Sequence, residues 1–140
     1  MRLKYLAIGL LVALITAAGA TAALQKGTKS LHATLVGKVE VPKGDPNGKG
    51  TAEVKITGTK VCWEFKTSGV QKLLAAHIHK GGAGVAGPVV VPFGASFKAK
   101  GCTTTTAALA AAILKHPGQY YVNVHNATYP GGALRGQLQS

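Results

Sequence analysis

AAHIHKGGAGVAGP, residues Ala75 to Pro88, sets two histidines one residue apart and follows them with a glycine-rich run. In a β-strand successive side chains point to opposite faces, so His77 and His79 share one face while Ala76 and Ile78 share the other. Ile78 then belongs to a core, and Gly81 to Gly87 form a loop at the strand's end. The question this raises is whether His77 and His79 are half of a metal site or an ordinary solvated pair.

The same alternation recurs along the chain. Strands are predicted at Leu31 to Val36, Thr51 to Thr57, Lys60 to Lys66, Leu74 to His79, Gln119 to His125 and Ala133 to Leu138, separated by glycine, proline and polar turns. Pro88 to Phe93 is extended, and its prolines suit an edge. One segment departs from the β pattern: Thr106 to Lys115 is alanine-rich, places Leu109 and Ile113 four apart and follows threonines able to cap a helix. His116-Pro117-Gly118 ends it. The expectation is an all-β Greek-key sandwich or barrel with one short helix and no second domain.

Arg2 and Lys4 precede an apolar run and then small residues up to Ala23, the pattern of a secretory signal peptide over residues 1–23. The apolar run is shorter than the roughly 20 residues of a membrane-spanning helix, so no span is expected in the mature chain, residues 24–140, which is read as one secreted domain, periplasmic or extracellular. Cys62 and Cys102 are the only cysteines, and export to an oxidising compartment pairs them. Closing that loop contributes about 4 kcal/mol in the chain-entropy model.

The formal net charge is +12 over the whole sequence, and +10 once Arg2 and Lys4 are set aside. Such a surface attracts anions, so a small anion or an acidic cell envelope are candidate partners. Nucleic acid ranks last, because the lysines are scattered and no basic stripe is interleaved with aromatic residues. Hydrolysis is disfavoured too: Asp45 is the only aspartate, no Ser/His/Asp set is visible, and no paired-carboxylate signature occurs.

Parity carries the histidines further. It sends Val122 and Val124 inward and Tyr121, Asn123 and His125 outward, and on the last strand it leaves Arg135 and Gln137 outside. If these strands share a sheet, His77, His79, His125 and Arg135 lie on one outward face. Three imidazoles on rigid strands suit copper or zinc, and leave an open position for a substrate. His32 faces outward on the first strand as a further candidate ligand. His116, at a helix C-terminus, has a structural role in the helix dipole. Asn126-Ala127-Thr128 matches the N-glycosylation pattern, but a glycan there would crowd His125.

Leu35-Val36-Gly37 with Glu40-Val41-Pro42, Ala76-His77-Ile78-His79, Tyr121 to His125 and Pro130 to Leu138 together resemble the chordin-type (CHRD) domain over nearly all of the mature chain. Ala133 departs from that family's motif, where glutamate usually stands. A more distant resemblance, carried by His-x-His, the glycine loop, Val-x-His and the arginine, is to copper/zinc superoxide dismutase. That likeness implies a Greek-key barrel with His77, His79 and His125 as copper ligands and Arg135 as the catalytic cation that guides superoxide. It has no counterpart for the metal-bridging histidine between His79 and Cys102, so it implies a copper-only site. The competing expectations are a non-catalytic copper sequestration or delivery protein and a partner-binding module without metal.

Overall fold

The computed structural model describes residues 27–140, so the expected signal peptide lies outside the described residues. The chain forms β1 (Lys29–Val36), β2 (Lys49–Thr57), β3 (Lys60–Ser68), β4 (Leu73–Lys80), β5 (Val89–Pro92), β6 (Lys100–Thr104), α1 (Ala107–Lys115), β7 (Tyr120–Asn126) and β8 (Leu134–Gln137). All pairings are antiparallel, in the order β5-β4-β7-β8-β1-β2-β3-β6. After β6 the chain passes through α1 and returns beside β4 instead of continuing beside β6, the Greek-key return. The expected all-β Greek-key architecture with one helix is therefore present, as a nearly closed barrel.

Alternation explains which side chains fill it. Leu31, Ala33 and Leu35 of β1, Val54 and Ile56 of β2, Ile78 of β4 and Val122 and Val124 of β7 are all buried in one hydrophobic cluster. Thr106 caps α1 by accepting the Leu109 N–H at 3.2 Å, and the helix buries Ala110 and Ile113 against the same cluster. Among the described residues no helix is long and apolar enough to cross a membrane.

The two edge strands, β5 and β6, are joined by residues 93–99 in place of a direct ladder. Phe97 N–H donates to Leu74 O at 2.8 Å, and Phe65 N–H donates to Ala99 O at 2.7 Å. Beneath this seam Trp63 and Phe93 stack at 4.3 Å with planes 8° apart, and Phe65 lies against both Phe93 and Phe97. The Trp63 indole N–H donates to Lys98 O at 2.9 Å. Each such aromatic pair adds about 0.5–1.5 kcal/mol beyond its burial.

β6 is the strand that the sequence pattern did not predict. Its inward positions are Gly101 and Thr103, neither of them hydrophobic; a Cβ at Gly101 would come within 2.5–3.0 Å of the Trp63 ring, so the apolar bulk there is supplied from across the ladder. Cys102 lies directly opposite Cys62 in that ladder, and the two form the expected disulfide. Thiol titration of the denatured, unreduced protein will find no free thiol. Phe93→Ala removes the ring that closes the seam and lowers the unfolding free energy by about 3–5 kcal/mol, which a fall in the denaturant midpoint will measure.

Candidate metal centre

The register of β4, β7 and β8 builds the site row by row on the outer face. His77 lies opposite Asn123, which lies opposite Arg135; His79 lies opposite Tyr121, which lies opposite Gln137; Ala75 lies opposite His125. One ligand nitrogen from each of His77, His79 and His125 falls within 4.8 Å of the others. The three histidines that parity selected are thus brought together. His32 is exposed on the opposite part of the sheet, facing Glu53 across β1 and β2, and His116 is exposed at the C-terminal end of α1; neither joins them.

Backbone carbonyls set the direction of two rings. His79 Nδ1 lies 2.8 Å from Gly87 O, and His125 Nδ1 lies 2.9 Å from Pro130 O. A carbonyl only accepts, so each ring donates from Nδ1 and turns a lone pair on Nε2 toward the cluster. His79 Nε2 is buried without a hydrogen-bond partner. His125 Nε2 lies 3.1 Å from His77 Nδ1, which identifies Nδ1 as the inward-facing nitrogen of His77. This is the arrangement in which outer hydrogen bonds hold metal-ligating histidines in one tautomer.

Electrostatics keep the rings neutral. Burial holds the His77 imidazole down at about 4, and the neighbouring His125 and His79 push in the same direction. Burial also lowers His79 and His125, offset in part by their bonds to Gly87 and Pro130. Neutral imidazoles are the form that binds a metal.

Arg135 is on the histidine face, as parity expects, but it is covered. Its exposure is 1%, its Nη2 donates to Gly82 O at 2.8 Å and to Gln137 at 3.2 Å, and Gln137 donates to Gly81 O at 3.0 Å. Arg135 ties the 81–87 loop to the sheet. Its guanidinium carbon sits 3.4 Å from the centre of the Tyr121 ring. On the other side His79 stacks on Tyr121 at 4.8 Å and 10°, and the Tyr121 hydroxyl accepts the Gly87 N–H at 3.1 Å. One tyrosine thus links the guanidinium, the His79 ring and the loop that orients that ring.

Glu40 is the charge that faces Arg135. Burial raises its carboxyl, while the Val41 N–H, Asn123 and Arg135 offset part of that rise. A Cβ at Gly132, where φ is 142°, would overlap the Glu40 carboxylate, so Glu40 packs against Gly132, next to Ala133, the position at which the chain lacks the glutamate of the motif it resembles. Tyr121, Asn123 and Glu40 were not assigned to the site from sequence. Only parity with His125 marked the first two. Asn126, in the glycosylation pattern, is 2% exposed and its Oδ1 accepts the Tyr129 N–H at 2.8 Å, so its amide serves the turn that carries Pro130.

The CHRD domain family matches residues 31–138. Comparison with curated proteins and with solved structures returns no match.

The neutral cluster makes stability depend on pH. In the metal-free protein His77 binds its proton more weakly folded than unfolded, so its contribution is full above about 6.5 and is lost as pH falls toward about 4. Urea unfolding across that range will show a falling midpoint, and His77→Gln will flatten the decline.

Proposed function

The chain belongs to the CHRD domain family, and from that premise and the geometry of the histidine cluster we propose that it is an exported copper protein holding one ion through His77, His79 and His125. The observation that supports this most directly is the buried, unpartnered Nε2 of His79, held by its Nδ1 bond to Gly87 and aimed where His77 and His125 converge. A buried polar atom without a partner is costly, and a ligand relieves the cost. Copper is favoured over zinc because an all-imidazole set with no carboxylate or thiolate leaves the choice to intrinsic affinity, which is greatest for cupric ion. Secretion fits the disulfide between Cys62 and Cys102.

Bound copper supplies one-electron chemistry, and the activity proposed is oxidoreduction of a small anion, with superoxide the leading candidate. The chain's part is to hold and orient. The carbonyls of Gly87 and Pro130 keep two lone pairs inward and raise the basicity of their rings. His77 and His125 are only partly buried, which leaves an approach to the cluster, and the positive net charge assists encounter with an anion. Arg135 adds to the local positive field through Tyr121, and meets an anion directly only where the 81–87 loop moves aside.

The burial of Arg135 favours a second reading, copper sequestration or delivery without turnover. Copper titration with spin-resonance spectroscopy, followed by superoxide consumption of the loaded protein against free-copper controls, separates the two. We expect near-equal stoichiometry and a rate above the controls. A chelator-resistant complex with no such rate would establish sequestration, and absence of stoichiometric copper would return the domain to the metal-free, partner-binding class. Replacing His77, His79 or His125 by alanine weakens binding by more than the roughly 10–100-fold that loss of an outer partner costs, whereas His32→Ala and His116→Ala leave it unchanged.

A further inference from the structure

The geometry points to Asn123 as a fourth protein donor to the ion held by the three histidines, with its side-chain oxygen as the ligand atom. This rests on the three-histidine copper reading and extends it to a residue outside that set. Asn123 is 1% exposed and occupies the centre of the outer face, opposite His77 on one side and Arg135 on the other. Its Oδ1 lies 3.0 Å from His125 Nε2, the nitrogen that also faces His77 Nδ1 at 3.1 Å.

The chemistry of that contact favours a cation. His125 donates its Nδ1 proton to Pro130 O, so a neutral ring has only a lone pair on Nε2, and an amide oxygen has only lone pairs. Two acceptors 3.0 Å apart repel unless something positive lies between or beside them; in the metal-free protein the Nδ1 proton of His77 fills that place, and a bound ion takes it over. Turning the amide over would place its oxygen against Glu40 instead. Glu40 accepts the Val41 N–H at 3.2 Å through one oxygen, and its other oxygen is buried without a partner. Asn123 favours the ionised form of that carboxyl, which is the effect of the amide's NH₂ end. The side of the amide toward Glu40 is therefore its NH₂ end, and its oxygen lies toward the histidines. Separations of 3.0 and 3.1 Å are those of neighbouring donors that each sit about 2 Å from one ion. An amide oxygen is a harder and weaker donor for copper than imidazole, comparable to the weak axial ligands that tune copper sites. Asn123 thus adjusts the ion's affinity and electronic structure while the histidines retain it.

The test compares copper titration and spin-resonance spectra of the full-length protein and its Asn123→Ala variant. The variant is expected to bind one cupric ion through the histidines with about 10-fold or greater loss of affinity and with altered copper hyperfine splitting. Unchanged affinity and spectrum in a folded variant would overturn the assignment while leaving the three-histidine site standing. Failure of the unaltered protein to bind copper would instead overturn the reading on which it rests. Should Asn123→Ala fail to fold, the unaltered protein labelled with ¹³C in its asparagine amides can be titrated with zinc, which is diamagnetic. Displacement of the Asn123 carbonyl resonance with Asn47 unmoved supports the assignment, and an unmoved Asn123 resonance overturns it.

Discussion

The pairing of Ile78 with Val122 is the constraint from which the rest of the molecule follows. With that register, Ile78, Val122 and Val124 face the core, and His77, His79, Asn123 and His125 are assembled on the opposite face. A slip of one residue would reverse every side chain of the strand. It would bury imidazoles among Leu35, Val54 and Ile56 and push the valines out. The register is therefore held by hydrophobic burial, and the histidine cluster takes its geometry from a choice made on the other side of the sheet.

That outer face is a second interior, polar where the first is apolar. Arg135, Asn123, His79 and Glu40 are each less than one-tenth exposed, covered by the 81–87 loop and by the segment that carries Glu40. Buried charge is costly without partners: Arg135 has the Gly82 carbonyl, Gln137 and the Tyr121 ring, and Glu40 has the Val41 N–H, while Arg135 Nη1 and the other Glu40 oxygen have no hydrogen bond. The stacked series Arg135, Tyr121, His79 couples the loop to the His79 ring. A change at Gly82 or Gly87 is therefore felt at the imidazole through two contacts, the stack and the Nδ1 bond to Gly87 O.

The two sides of the barrel are stabilised differently. On one, a disulfide and an aromatic cluster bind β3, β6 and the connecting segment across the open seam. On the other, β4, β7 and β8 form antiparallel ladders, irregular only between Leu73 and Ala75 of β4, and carry no covalent tie. The site is thus built where Ala75 to Lys80 pairs in unbroken register with Tyr120 to His125, so that side-chain directions are set by the backbone, as a preorganised cluster requires.

Alternation of side chains is a local property, so much was legible before the fold was known. The core positions Ile78, Val122, Val124, Leu134 and Leu138, the shared face of His77, His79 and His125, the edge position of β5 and the helix after Thr106 all follow from residues a few places apart. The pairing of Cys62 with Cys102 followed from their being the only cysteines. What parity could not supply was depth. It placed Arg135 outside the core, but only the tertiary structure puts it beneath Gly82, a contact 53 residues away in sequence. Tyr121, Asn123 and Glu40 enter the site for the same reason, since stacking and amide orientation depend on which distant backbone atoms lie opposite. β6 escaped because neither Gly101 nor Thr103 is hydrophobic and Trp63 of the neighbouring strand fills the space at Gly101. Direction along a strand is a matter of bonded geometry, whereas cover and partnership are long-range contacts that exist only once the sheet has rolled up.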